Sequence, residues 1–181
     1  SEMPEPVDGQ MGGFQLWGNL PRSHKMMDPR YQEITQTQVP IVSPNKGVTI
    51  RVIAGSAGGV TGPVRDIVAD PEYLDVTMDR NAAFSQPVKE GYTAFAYVIG
   101  GEGTFDPREG HQVYNRDLVL FGDGSLVTAG SSAKEFRFLL FSGKPIHEPV
   151  AWRGPIVMNT ADELRVAFRE YADGTFIKKK A

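Results

Sequence analysis

The chain has 181 residues, 40% of them hydrophobic and 23% charged, which is ordinary globular usage and excludes disordered, collagen-like and coiled-coil chains. Its formal net charge of -3 argues against direct nucleic-acid binding, which depends on a surplus of Lys and Arg. It contains no Cys, which excludes disulfides and thiol nucleophiles, and no apolar run approaches the roughly 20 residues that a membrane helix needs.

Alternating apolar and polar residues predict strands in the first half of the chain. Val48–Ile53 predicts one strand, which is followed by a Gly-rich loop over 54–63. The alternation over 74–78 predicts a half-buried strand. Tyr92–Ile99 is apolar on both faces and predicts a central strand, which we expect to end in a turn at Gly100–Gly103.

Strand patterns continue in the second half. Asp117–Phe121 and Ser125–Thr128 flank Gly122–Gly124, which predicts a hairpin, and the alternation over 136–140 predicts a further strand. The chain also holds 20 Gly and 13 Pro, enough for many tight turns. Short strands about ten residues apart, with turns between them, indicate a sandwich or a closed barrel.

One helix is predicted near the C-terminus. Thr160 and Glu163 have the spacing of a capping box. The apolar residues that follow share one helix face: Leu164, Ala167, Phe168 and Tyr171. Gly174 supplies a left-handed end, so the helix is expected over about 160–173.

Familiar catalytic motifs are missing from the sequence. It has no dinucleotide-binding glycine loop, no phosphate-binding loop and no Gly-x-Ser-x-Gly elbow. The histidines are His24, His111 and His147, and no two of them have the spacing that places two metal ligands on one face of a strand or helix. A site with three histidines would have to be assembled by folding alone.

Several longer runs carry a family resemblance. They are Ser-Glu-Met-Pro-Glu at 1–5, Gly-Phe-Gln-Leu-Trp-Gly-Asn-Leu-Pro at 13–21, Lys-Met-Met-Asp-Pro-Arg-Tyr-Gln at 25–32, Glu-Pro-Val at 148–150 and Gly-Pro-Ile-Val-Met-Asn-Thr at 154–160. In this order they closely resemble pirins. The resemblance covers essentially the whole chain, which is identified as a member of the pirin family.

The resemblance implies a fold and a domain organisation. Pirins resemble bicupins, which have two β-barrels in tandem. Residues 1–30 then correspond to a remnant of the first, metal-binding barrel and the linker, 31–145 to a second, degenerate barrel, and 146–181 to a C-terminal segment with the helix. The expected fold is all-β, a cupin-type double-stranded β-helix (jelly-roll) barrel with one C-terminal α-helix. Most of the first barrel is expected to lie outside the chain and to be its intramolecular partner.

The resemblance also implies a metal site. The metal of pirins, usually iron, lies in the first barrel and is held by a His-x-His pair, a further His, and the Glu of a His-Ser-Glu-Met-Pro-Glu run. Glu2 matches that Glu, and the partner His would precede Ser1. Such a ligand set leaves open positions on an octahedral iron for a substrate or dioxygen. We expect iron or another divalent transition metal in the intact protein and none in this chain alone, and the sequence identifies no catalytic residue.

The second barrel resembles a cupin that has lost its metal. Two segments occupy the places of the two cupin motifs, Tyr92–Gly103 and Asp117–Gly130. Neither segment contains a histidine. Four aromatic side chains are expected to point inward and fill this barrel: Phe95, Tyr97, Phe136 and Phe138. The sequence therefore predicts a packed barrel without a reactive centre.

Two hypotheses for function follow from the resemblance. Several pirins are similar to quercetin 2,3-dioxygenases, in which the metal binds a flavonol-like small molecule that dioxygen cleaves. The intact protein would then be an oxidoreductase, and this chain alone would be inactive. The alternative is a metal-dependent regulatory protein, a transcriptional cofactor or a regulator of metabolic enzymes, which binds a protein partner without catalysis. We expect a cytoplasmic protein with no membrane partner, or a nuclear protein in a eukaryote.

The chain alone is expected to expose the apolar surface that meets the first barrel. Phe14, Leu16 and Trp17 are the residues that we assign to this surface. Contiguous apolar patches tend to acquire a partner, so self-association is expected, which light scattering would detect.

Overall fold

The computed structural model of the chain describes residues 8–106, 108 and 110–178. The strands, in chain order, are β1 (Ile41–Val42), β2 (Val48–Ala54), β3 (Ser56–Ala57), β4 (Val60–Thr61), β5 (Glu72–Met78), β6 (Ala83–Pro87), β7 (Thr93–Phe105), β8 (His111–Tyr114), β9 (Leu118–Leu120), β10 (Leu126–Gly143), β11 (Ala151–Arg153) and β12 (Ile156–Met158). The helix α1 spans Ala161–Ala172, and short 3₁₀ turns lie at Arg22–His24 and Gln36–Gln38. The described part is therefore mostly β, as the sequence predicts.

Most of the strands form one antiparallel sheet that curves into a barrel. Its order is β1-β2-β5-β10-β7-β8, with β6 added to β10 and β9 added to β7. Strand β10 is the centre of this arrangement, because its first part pairs with β6 and its last part pairs with both β5 and β7. Strands β11 and β12 form a separate ribbon beside α1.

The barrel interior is apolar and densely filled. The largest fully buried side chains come from β2, β5, β7 and β10: Phe136, Phe138, Ile50, Leu74, Met78, Leu140, Val48, Val52, Val76 and Val98. Each such side chain contributes roughly 1.5–3 kcal/mol to folding. The predicted alternation in β5 is confirmed, since Leu74, Val76 and Met78 are all 0% exposed.

The turn predicted at Gly100–Gly103 is wrong. Strand β7 runs through these residues to Phe105, and its pairing with β10 shifts register there, between Ser131 and Phe136. Gly101 has a positive φ of 70°, the conformation that glycine adopts without strain. In this shift four residues of β10, 132–135, stand against one residue of β7, Glu102. The extra residues therefore belong to β10, and β7 continues through the glycines as one long strand.

The hairpin predicted around Gly122–Gly124 is also wrong. Strand β9, before these glycines, pairs with β7, and the start of β10, after them, pairs with β6. The glycines therefore connect two strands that do not pair with each other, although both pair with β7.

The C-terminal helix follows its sequence pattern closely. The Thr160 hydroxyl accepts a hydrogen bond from Glu163 N at 3.2 Å, and the Glu163 carboxylate accepts one from Thr160 N at 3.1 Å, which confirms the capping box. Ala167 is buried, and Leu164 and Phe168 pack with it. Tyr171 departs from the prediction, since it is 64% exposed. No helix among the described residues has the length and apolar character of a membrane span.

Removal of the helix cap has a moderate predicted cost. Thr160→Ala leaves an N-terminal amide of α1 without its acceptor, and we expect a loss of about 1 kcal/mol in the free energy of unfolding. Thr160→Ser keeps the hydroxyl and should unfold at nearly the wild-type urea concentration. Equal urea midpoints for Ala and Ser variants would contradict the role of the cap.

Candidate functional site

The predicted metal ligand, Glu2, lies outside the described residues. Within the ranges that are described, no group of three or more His, Asp or Glu side chains could hold a metal ion. His24, His111 and His147 all belong to these ranges, so folding does not assemble them into a metal site with other described residues.

The barrel interior has no place for a metal among the described side chains. Ala94, Ala96, Val98 and Phe105 of β7 face inward and are buried. Phe136 and Phe138 also lie inside, as predicted, and their rings contact each other at 5.0 Å between centroids. An interior of aliphatic and aromatic groups offers no donor atoms, so the described barrel does not fit a metal ion.

The inward orientation predicted for Phe95 and Tyr97 is wrong. Both are half-buried and lie on the opposite face of β7 from the buried alanines. The Phe95 ring stacks on Phe141 at 4.8 Å, and the Tyr97 ring meets the edge of Phe14 at 5.4 Å. The N-terminal segment therefore passes over the outer face of the barrel.

The apolar residues of the N-terminal segment are exposed. Phe14 is 59% exposed, Leu16 52% and Trp17 59%. This exposure agrees with the surface assigned to them from the sequence, and self-association of the chain stays a prediction.

A polar cleft lies at one end of the barrel. It has a volume of about 780 Å³, which is within the usual range for small-molecule sites. We call it the end cleft. Its walls are residues 55–59, residues 64–67, the start of β5 and residues 86–92. Its polar lining side chains include Asp70, Glu72, Gln86, Lys89 and Tyr92. The sequence analysis did not identify this site.

Glu72 is the carboxylate in the wall of the end cleft. Its Oε2 accepts a hydrogen bond from Gln86 Nε2 at 3.2 Å, and the same amide donates to Ser56 O at 2.9 Å. Its Oε1 is buried and accepts no hydrogen bond from any described residue. Burial raises the pKa of Glu72 to about 7, against the smaller lowering effects of Gln86 and Lys89.

A compensated charge cluster forms the rim of the end cleft. Asp70 Oδ2 accepts a hydrogen bond from Tyr92 Oη at 2.8 Å and is also bound by the Lys89 ammonium. These hydrogen bonds lower the pKa of Asp70, and the bonds to Asp70 raise the pKa values of Lys89 and Tyr92. The opposite charges of Asp70 and Lys89 therefore neutralise each other at neutral pH.

The close approach of a loop shapes the wall around Glu72. Gly55 follows β2 with a φ of 78°. A Cβ at this position would lie 3.0 Å from Glu72 Cγ and 3.1 Å from Glu72 Cα. Since only glycine fits both the backbone conformation and the space, Gly55 allows the 55–59 loop to cover the carboxylate.

The chain is similar to known pirins over nearly its whole length. Residues 73–177 match the family model of the pirin C-terminal cupin domain. Pirin-1 of Arabidopsis thaliana is 40% identical over 94% of the chain, and the pirin of Rattus norvegicus is 38% identical over 94% of it. A Thermoplasma acidophilum protein, named provisionally as a quercetin 2,3-dioxygenase, is 35% identical over 99% of the chain and 74% of its own length.

The fold is similar to that of a solved dioxygenase. The crystal structure of quercetin 2,3-dioxygenase from Acinetobacter baumannii superposes with a TM-score of 0.78 and 26% identity, over 87% of the chain and 54% of that protein. The predicted fold class, a cupin barrel with one C-terminal helix, is thus confirmed. The chain spans 59% and 64% of the length of two curated Arabidopsis relatives.

Proposed function

The chain belongs to the pirin family, and we propose that it contributes the metal-free barrel of a two-barrel quercetin 2,3-dioxygenase-type oxidoreductase. The observation that carries this proposal is the structural similarity to the A. baumannii dioxygenase over 87% of the chain. The relative from T. acidophilum, with its provisional dioxygenase name, supports the same activity. The proposed substrate is a flavonol-like small molecule.

We assign the metal to a barrel outside the described residues. The described interior does not fit a metal ion, because its side chains carry no ligand atoms. By resemblance to the family, Glu2 would serve as one ligand of iron or another divalent transition metal. When bound, this metal would supply open coordination positions for the substrate or dioxygen.

The described barrel and helix have a structural role in this proposal, since they hold the segment that leads to Glu2. Glu148 Oε2 accepts hydrogen bonds from Arg22 N at 2.7 Å and from Asn159 Nδ2 at 2.8 Å. The Arg22 guanidinium also forms an ion pair with Glu163 at the start of α1. These contacts fix residues around Arg22 against the C-terminal segment and thereby restrict where the preceding chain can lie.

The test uses a protein long enough to contain both barrels, loaded with iron, copper or manganese in turn. We expect about one metal ion per chain by elemental analysis and consumption of quercetin with dioxygen uptake. Glu2→Gln should lose most of the metal and the activity, whereas Glu5→Gln, a matched change in the same run, should keep both. Metal-loaded protein that leaves quercetin unconsumed would overturn the dioxygenase proposal.

A regulatory function is the second candidate, and the apolar barrel interior, which offers no metal-ligating cluster among the described residues, favours it. Under this hypothesis the protein binds a transcription factor or a metabolic enzyme in a metal-dependent way, in the cytoplasm or in a eukaryotic nucleus. A pull-down with metal-loaded and metal-free protein distinguishes the hypotheses. A stoichiometric partner retained in one metal state only would support regulation, and the absence of such a partner in both states would contradict it.

A further inference from the structure

We propose that the end cleft binds a neutral aromatic molecule bearing hydroxyl groups, with the Glu72 carboxylate accepting a hydrogen bond from one hydroxyl. This site lies in the barrel that holds no metal among its described residues. The inference therefore stands apart from the dioxygenase proposal, since no metal takes part in it.

The first argument is the unsatisfied carboxylate. An ionised carboxylate offers about four acceptor positions, but Glu72 accepts a single hydrogen bond, from Gln86. Oε1 is buried without a partner among the described residues, and a buried acceptor without a partner costs about 1–3 kcal/mol. The Gln86 amide cannot supply the missing bond, because Ser56 O and Glu72 Oε2 already occupy its donor group. A donor from a bound molecule would satisfy the carboxylate.

The carboxylate can reach such a molecule without movement of the backbone. Glu72 belongs to the lining of the end cleft, and its Oε1 is buried. The terminal torsion of a glutamate side chain has a broad, two-fold energy profile. Rotation about this last bond therefore redirects the carboxylate oxygens at the cost of the hydrogen bond from Gln86, which a hydroxyl donor of the ligand would replace.

The charges that line the end cleft favour a neutral ligand. Lys89 and Asp70 are paired with each other, and Asp66 faces Arg30 at 3.9 Å. Arg65, the other cation in the lining, donates to Gly62 O at 3.4 Å. Because cationic and anionic side chains both line the cleft, its electrostatic potential is not strongly positive or strongly negative. It therefore does not favour a charged ligand.

The apolar part of the lining favours an aromatic ring over a sugar-like ring. Ala57, Val64, Ile67 and Val88 all line the end cleft, and the Tyr92 ring stands at its rim. Aliphatic and aromatic walls with a few polar groups that converge on one point are typical of sites for small organic molecules. A flat ring that bears hydroxyl groups would place its apolar face against the aliphatic and aromatic side chains and its hydroxyl groups against the polar ones.

Calorimetric titration with three probes, in the presence of EDTA, tests the proposal on the 181-residue chain. Catechol carries a ring and two hydroxyls, dimethoxybenzene keeps the ring without donors, and cyclohexanediol keeps the hydroxyls without the aromatic ring. We expect catechol to bind at least about tenfold more tightly than dimethoxybenzene, the effect of one hydrogen bond to a charged acceptor. Cyclohexanediol should also bind more weakly than catechol. No catechol binding, or equal binding of the three probes, would overturn the proposal.

Variants connect the binding to Glu72. Glu72→Gln keeps the size of the side chain and its bond to Gln86 but removes the charged acceptor, so catechol affinity at pH 8 should fall about tenfold. Ile67→Trp, which adds bulk to the cleft lining, should also reduce binding. Glu102→Gln changes a half-buried carboxylate paired with Lys134 at 3.3 Å, away from the cleft, and should bind catechol like the wild type. An unchanged affinity in Glu72→Gln would contradict the assignment.

The pH dependence of binding separates a direct role of Glu72 from a structural one. Catechol affinity should rise about fivefold between pH 6 and pH 8 as Glu72 ionises, and the Glu72→Gln variant should show no such rise. The charged groups nearest Glu72 are Lys89 and Asp70, whose mutual ion pair stays charged across this interval. A pH profile of catechol affinity that is the same in wild type and variant would overturn the role of Glu72. Thermal unfolding serves as the control that both proteins are folded.

Discussion

Gly101→Ala is expected to remove most or all of the stability of the barrel, whereas Gly100→Ala is expected to be tolerated. At Gly101 the φ is 70°, and a Cβ would overlap the carbonyl oxygen of Glu135 and lie 2.8 Å from its carbonyl carbon. Both contacts are with backbone, which cannot turn away as a side chain could. At Gly100, a Cβ would meet only Arg137 Cβ at 3.7 Å, an ordinary van der Waals distance.

Urea unfolding of the two variants measures this difference. Gly101→Ala should lose more than about 4 kcal/mol, a loss of the size seen when strain and core disruption combine, and is expected to be recovered largely as insoluble protein. Gly100→Ala should unfold within about 1 kcal/mol of the wild type, because alanine reduces the freedom of the unfolded chain relative to glycine. Similar midpoints for the two variants would show that glycine is not required at position 101.

The second large effect is a loss of stability as the pH rises toward neutrality, caused by Glu72. Its pKa is 4.5 in the unfolded chain and about 7 in the folded protein, so the folded state binds the proton more tightly. The resulting stabilisation is fully present below about pH 4.5 and is lost as the pH rises through 7. Allowing for the partial exposure of the side chain, we expect a change on the order of 2 kcal/mol.

The free energy of unfolding measured from pH 5 to pH 8 tests this effect. Wild type should lose stability over the interval, and Glu72→Gln should lose less, so that the variant is the more stable protein at pH 8. Asp70 does not interfere, because its lowered pKa makes its contribution disappear only at more acidic pH. Glu102→Gln is the control and should follow the wild-type curve. Parallel curves for wild type and Glu72→Gln would contradict the raised pKa.

The features that the sequence predicts correctly are local ones. The alternation of Leu74, Val76 and Met78 determines which side chains face the core, and the spacing of Thr160 and Glu163 determines the helix start. Both patterns depend on residues within one turn or one strand, where geometry follows directly from backbone periodicity.

The wrong predictions concern which strands pair with each other and which face of a strand is buried. The local sequence pattern does not determine either. Tyr92–Ile99 is apolar on both faces, so its alternation cannot show whether Phe95 or Ala96 lies inside. The glycines at 100–103 allow either a turn or a continuous strand, and the choice depends on the distant strand β10. In the same way, the end cleft joins Glu72 to Gln86, which is 14 residues away, and no motif relates the two positions.

The position of β10 in the sheet also determines when the barrel can form during synthesis. Strands β5, β6 and β7 are complete by residue 105, but each of them pairs with residues between Leu126 and Gly143. A nascent chain that has not yet emerged past Leu126 therefore carries three strands whose edges lack their shared neighbour. Unpaired edges of this kind readily join other chains, and sheets closed by distant segments form slowly. A pause while Leu126 is still inside the ribosome would thus expose the chain to aggregation, whereas a pause after Gly143 has emerged would let the barrel close first.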